Sequence, residues 1–430
     1  MKNSLLSLIW DIQSGAMPRD AALSAARARA GSIEKWLHAF TYLADAPVPQ
    51  AHGPLAGIPV GVKDIIATAG MPTANGSPIY AGQVPEHDAW IVAETKRLGG
   101  TVFGKTVTTE FAWRHPGPTV NPWNPAHTPG GSSSGSAAAV AAGIVALAFG
   151  TQTVGSIIRP AAYNGVVGYK PSFGAIPRDG VHPLAGALDH VGFFTRSAAD
   201  AAAAHALYVA RDPAPVLSEA AWAQYFPAIR PPRLAVMRTG YWMRAEDGQR
   251  ENFDAALNRF AAAGAELVER DLPEDMALIV NSAHLMLAYE AARIYAPLVE
   301  RYPDKTSERL KHLVSEGIAV SESSYQATVA LQARLRAGLA DWIAPCDAIV
   351  TLPAMGQALR GLKETGDASF CAPWTFAGVP AVAIPSGWTS AGLPLGLQIV
   401  GPFGADRATL AVAAWAESVA KCPERTVAES

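Results

Sequence analysis

The chain has 430 residues, 50% of them hydrophobic and 17% charged, with a formal net charge of −3. That composition excludes a disordered polymer and is ample for a large buried core. Lys and Arg (34) nearly balance Asp and Glu (37), so no basic excess points to nucleic acid or an anionic membrane.

In chain order, residues 4–12 and 19–30 read as two helices, with Pro18 and Gly31 in start and stop positions. Met1 to Trp10 lacks the long apolar run of a signal peptide. Residues 55–66 read as a strand around Val60 and Val62, 87–98 as a helix and 101–103 as a strand. The proline-rich stretch 113–129 reads as loop. Residues 134–146 are small and apolar on all sides, which suits a buried helix. The apolar run 137–149 is too short and alanine-rich to span a bilayer. Short strands follow at 147–150 and 166–169.

The texture then turns helical. Residues 198–209, 250–263, 276–299 and 307–340 read as helices, with a strand at 234–237. Strands return at 348–352, 381–384 and 395–400, and a last helix covers 406–420. Strands and helices alternating at both ends imply an α/β fold with a mixed sheet covered on both faces. No linker divides the chain, so residues 1–430 are expected to form a single domain with a mostly helical middle at about 215–345. Cys346, Cys371 and Cys422 are scattered and form no CxxC pair, so neither a disulfide framework nor a cysteine zinc site is expected. A soluble, cytoplasmic protein is the expectation.

Two local patterns fit known motifs but lack their context. Gly99 to Thr106 fits the P-loop spacing, yet a helix precedes it and a strand occupies the would-be loop. Gly131-Ser-Ser133-Ser-Gly135 fits a nucleophile elbow. However, no strand leads into it, and no histidine follows His312 to complete a triad.

Other features are more telling. The Gly130 to Ser136 run leads straight into a packed Ala/Val helix, where backbone N–H groups and hydroxyls converge on a point that suits an oxyanion or carbonyl. Ser156 lies on a Gly/Ser turn after a strand. Lys63 lies on an apolar strand, where a charged side chain is costly. A desolvated lysine has a depressed pKa and can take a proton from a serine that attacks an amide.

Together these residues resemble the amidase signature family. The matching elements are Gly61-Val-Lys63-Asp64, Gly104 to Phe111, Pro129 to Gly143, Gly150 to Pro160, Gly165 to Pro171, Leu188 to Gly192 and Gly392 to Gln398. The resemblance implies one α/β/α domain around a mixed sheet of about eleven strands. It also implies a Ser–Ser–Lys triad with no histidine, metal or cofactor. The nucleophile maps to Ser156, the bridging serine to Ser132 and the base to Lys63. Backbone N–H groups of Thr153, Val154, Gly155 and Ser156 would form the oxyanion hole. The peptide bond before the bridging serine, here Gly131–Ser132, is cis in the family. Gly130, Gly131, Ser133 and Arg159 would contact the substrate or support the triad. Homodimers are frequent in the family.

Three departures stand out. Val154 replaces the first glycine of the usual Gly-Gly-Ser, which would strain a left-handed backbone or narrow the acyl pocket. Gln152 replaces a commoner Asp, and Arg159 sits three residues after the nucleophile, both as in the short malonamidase-like branch. An arginine there would pair with a substrate carboxylate, or would cap carbonyls. The leading expectation is an amidohydrolase acting on a small carboxamide. The alternatives are the amidase subunit of a tRNA-dependent amidotransferase, for which the chain is short, and a catalytically impaired binding protein. Trp113, Tyr163 and Trp374 are candidates to line a cleft.

Overall fold

In the computed structural model, which describes residues 4–45, 47, 49–272 and 274–428, eleven strands form one mixed sheet. They are β1 (Phe40–Leu43), β2 (Pro59–Lys63), β3 (Thr101–Thr106), β4 (Leu147–Gln152), β5 (Val167–Lys170) and β6 (His190–Thr195). After these come β7 (Arg233–Val236), β8 (Glu266–Glu269), β9 (Ala348–Thr351), β10 (Ala381–Trp388) and β11 (Pro394–Val400). The spatial order is β1-β3-β2-β4-β6-β5-β10-β11-β9-β7-β8. The pairs around β2 and around β7 are parallel, while those involving β1, β5, β6, β10 and β11 are antiparallel.

Every residue of β2, β3, β4, β6 and β11 is buried. Strands covered on both faces read as unbroken apolar runs rather than alternating ones. The two edges differ: β1 and β8 contain no fully buried residue.

β2 and β4 run parallel with Val62 beside Phe149, so their C-terminal ends emerge together. That edge of the sheet carries Lys63 and Thr151. The helix Ser134–Ala141 packs on one face there, with Ser136 Oγ and Thr106 Oγ1 sharing a hydrogen bond of 2.6 Å. All eight of its residues are buried, as the small side chains require.

Several elements depart from the sequence expectation. The strand read at 55–66 is confined to Pro59–Lys63. The helix read at 307–340 is two helices, Glu308–Ala319 and Glu322–Ile343. Val320 and Ser321 are extended between them, and Ser321 Oγ caps the second helix by accepting from Ser324 N. A serine prefers that capping position to a helix interior. The helix Ile158–Asn164 is an addition to the sequence reading, which Pro160 within it conceals; a proline is tolerated in a first turn, where its missing N–H costs nothing.

Candidate active site

Lys63 is wholly buried at the end of β2. Its Nζ donates to Ser132 Oγ at 2.8 Å and to Thr151 Oγ1 at 2.8 Å. Among the described residues no carboxylate forms an ion pair with it. Burial holds its pKa well below the usual lysine value, opposed by the charge of Asp189.

Ser132 follows a cis Gly131–Ser132 peptide bond, and Gly130 before it has φ +77°, open to a residue without Cβ. The Ser132 carbonyl accepts from Thr109 N at 3.2 Å. Ser132 and Ser156 both line a cavity of about 730 Å³, together with Thr153, Val154, Gly155 and Arg159. Lys63 therefore stands behind Ser132, and Ser132 shares the wall with Ser156.

Ser156 sits on the turn from β4 into the helix Ile158–Asn164. Gln152 fixes that turn: its Oε1 accepts from Ile157 N (2.7 Å) and Ile158 N (3.0 Å), and its Nε2 donates to Thr375 Oγ1 (2.8 Å). Thr375 Oγ1 in turn donates to the Val154 carbonyl at 2.6 Å. Among the described residues, the backbone N–H groups of Thr153, Val154, Gly155 and Ser156 have no protein acceptor. Unpaired N–H groups beside a cavity are placed to receive an anionic oxygen. At Gly155 a Cβ would come within 2.9 Å of the Ala368 side chain, so glycine lets the turn lie against that segment.

The backbone at Val154 is not left-handed. The substitution therefore brings no strain of that kind, and its half-buried side chain stands on the cavity wall.

Ser133 is elsewhere. It is fully buried, and its Oγ donates to the Thr151 carbonyl at 3.2 Å. It does not line the cavity, and neither do Gly130 and Gly131. Arg159 is buried and clamps the surroundings. It donates to the carbonyls of Gly131 (2.6 Å) and Gly366 (2.8 Å), and to Thr365 Oγ1 at 3.3 Å. Burial lowers its pKa. Trp113 lines the cavity as expected, whereas Trp374 is core and Tyr163 packs with Ala354, Ala358 and Leu393.

The outer cavity comes from the helical middle. Val280, His284, Leu287 and Ala288 form one wall from the helix Met276–Arg301. The helix Glu308–Ala319 adds Arg309, His312 and Glu316. Sequence reasoning has no signal for these positions. It also misses Thr151 and Asp189, although Asp189 lies in the Leu188 to Gly192 element. Lys105, the would-be P-loop lysine, is on β3 and donates to Ile66 O, Thr68 Oγ1 (3.1 Å) and Thr73 Oγ1 (2.9 Å), so no phosphate loop exists there.

Comparison with known proteins places the chain in a family. The Amidase family model matches residues 34–410. A glutamyl-tRNA(Gln) amidotransferase subunit from Geobacter metallireducens is 33% identical over 85% of this chain and 84% of its own. A solved amidase structure superposes with TM-score 0.86 at 30% identity, covering 96% of this chain and 99% of the other. The native peptide amidase of Stenotrophomonas maltophilia gives TM-score 0.84 at 26% identity, covering 99% and 98%. The chain belongs to the amidase signature family, and it is an enzyme acting on carbon–nitrogen amide bonds.

Proposed function

We propose that this amidase-family enzyme hydrolyses a carboxamide through a Lys63–Ser132–Ser156 relay, with an acyl-enzyme on Ser156. The observation that carries the reading is the wholly buried Lys63 Nζ at 2.8 Å from Ser132 Oγ, at the foot of a cavity that Ser156 also lines. Desolvation favours the neutral amine. Its lone pair takes the Ser132 proton while Ser132 takes that of Ser156. The Ser156 oxygen attacks the amide carbon, and the N–H groups of Thr153, Val154, Gly155 and Ser156 receive the oxyanion. One such donor contributes roughly 2.7–4 kcal/mol. The relay returns a proton to the leaving amine, and water then cleaves the ester to regenerate Ser156.

Arg159 lines the cavity without a carboxylate partner among the described residues. The Asp367 charge acts on it from the same cavity without an ion pair between them, and a buried guanidinium not paired directly favours a substrate that brings a carboxylate. The 730 Å³ volume also leaves room for a longer acyl portion along Val280, His284 and Leu287. We read residues 1–430 as one domain of a cytoplasmic protein, and no described helix is long and apolar enough to cross a membrane.

A second reading, the amidase subunit of a tRNA-dependent amidotransferase, is favoured by the relatives named for that activity, such as the one from Geobacter metallireducens. Purification from the native host separates the two: a stoichiometric partner protein supports the second. For the leading reading, the test is a fluorophosphonate adduct mapped by peptide mass spectrometry. An adduct on Ser156, and an acyl group trapped on the same serine during amide turnover, support it. An adduct on Ser133 contradicts it.

A further inference from the structure

We propose that Asp189 is a positioning residue for the amide-cleaving site: it clamps the Thr153 end of the oxyanion turn and supplies the buried negative charge against which Lys63 works. The inference rests on the Ser–Ser–Lys reading above and adds a fourth side chain to it.

The geometry starts in β4. Thr151 lies in β4, and Thr153 directly follows its last residue, Gln152. Thr151 Oγ1 receives Lys63 Nζ at 2.8 Å. Thr153 Oγ1 donates to Asp189 Oδ1 at 2.6 Å. The antiparallel register pairs Thr151 with Val191 and Gln152 with His190, so the next step brings Asp189 opposite Thr153. The other carboxylate oxygen, Oδ2, accepts from Leu184 N (2.9 Å) and Ala185 N (3.1 Å). Leu184 also lines the cavity, so one carboxylate ties the oxyanion turn to a second segment of the cavity wall.

The groups facing Asp189 are Arg178, His182 and His190, which line a small void with Thr151 and Thr153, and Tyr295 and Lys63 beyond them. Burial pushes His182 down to about 4 and His190 well below its ordinary value, so both rings are neutral near pH 7. Burial also raises Tyr295 well above its usual range. Arg178 donates to the Gly186 carbonyl, and its charge favours the ionised Asp189. Desolvation raises the Asp189 carboxyl to about 6, so it is ionised above that pH. Its charge then opposes the desolvation that strips Lys63 of its proton affinity. A base driven too far down is neutral but weak, and a useful one stays near the working pH.

Asp189→Asn removes the charge and keeps the shape. The amide oxygen can still accept from Leu184 N and Ala185 N, and the amide nitrogen can donate to Thr153 Oγ1. Two readouts follow: the Lys63 titration by NMR of 13Cε-lysine protein, with its signal identified by loss in Lys63→Met, and the pH dependence of Ser156 labelling by a fluorophosphonate. The expected result is a Lys63 midpoint about one to two pH units lower in Asp189→Asn. The acid limb of labelling moves down with it, and the plateau rate falls. Thr153→Val breaks the clamp and keeps the carboxyl, whose own pKa rises with loss of that hydrogen bond; it lowers the plateau, and the Lys63 midpoint moves less than in Asp189→Asn. A Lys63 midpoint unchanged in Asp189→Asn overturns the inference. A shifted midpoint in a protein whose Ser156 is never labelled upholds the Asp189–Lys63 coupling and contradicts the relay instead.

Discussion

Two lysines on neighbouring strands make the useful comparison. Lys63 ends β2 and Lys105 lies in β3, where it pairs with Val62, so the two side chains leave opposite faces of the sheet. Both are fully buried, and burial lowers both pKa values, that of Lys105 to about 7. Their surroundings differ. Lys105 sits in a closed cage of one carbonyl and two threonine hydroxyls, with the Asp64 charge near enough to act on it. Lys63 has two hydroxyls, with the Asp189 charge acting on it in turn; neither lysine forms an ion pair among the described residues, but one of the Lys63 hydroxyls opens on a cavity. Burial alone therefore does not make a lysine a base. A proton-carrying partner that reaches substrate does, and a caged lysine holds structure instead.

Four substitutions would break or sharpen this contrast. The largest effect is expected from Ser132→Ala, which cuts the relay out of the Lys63 site. Amide turnover, followed by ammonia release, should fall about 10³- to 10⁴-fold, as for members of other acyl-transfer triads. The fold should be unchanged by circular dichroism. Lys105→Met strands Asp64, whose carboxyl is already raised to about 6 by burial. The variant also leaves the Ile66 carbonyl and the Thr68 and Thr73 hydroxyls without their buried donor; an unsatisfied buried polar group costs about 1–3 kcal/mol, and the urea midpoint should drop accordingly. Thr151→Val removes the second Lys63 acceptor without touching Ser132. The labelling rate of Ser156 should fall about tenfold, the scale of a single positioning hydrogen bond. Val154→Gly should raise kcat/KM for bulky acyl groups by a few-fold and leave small amides nearly unchanged. Equal rates for every amide would mean that Val154 does not shape the pocket.

The pH dependence has a definite sign. The reactive form needs neutral Lys63, so labelling rises with pH through a limb well below the ordinary lysine value. A limb at the ordinary lysine value would mean a solvated base.

Much of this contrast is legible in the sequence, because a lysine inside an apolar strand is conspicuous and a Gly/Ser run entering an alanine helix has few uses. The lysine itself, however, does not say which kind it is. Lys105 carries a better-known spacing and is structural. What separates the two is the strand register, which pairs Val62 with Lys105, and the hydroxyls that reach Lys63 from Ser132 and Thr151. These are contacts between distant segments that no local pattern encodes. β6 escapes the sequence reading because His190–Thr195 is buried on both faces and so lacks alternation. With β6 unseen, Asp189 at its entrance goes unremarked. The edge strands β1 and β8 contain no fully buried residue, so they lack the apolar runs that mark the equally short inner strands. The cavity wall from Val280 to Ala288 reads as an ordinary amphipathic helix, since a residue facing a cavity and one facing a core share the same spacing.

The most direct test compares the two lysines in one assay. Wild type, Lys63→Met and Lys105→Met are treated with a fluorophosphonate, and the rate of Ser156 adduct formation is followed from about pH 5 to about pH 10 in protein shown to be folded. The account predicts that Lys63→Met loses labelling by about 10³-fold or more. Lys105→Met should keep it within a few-fold, with an unshifted acid limb. Equal loss in both variants, or undiminished labelling without Lys63, would contradict the assignment of Lys63 as the base.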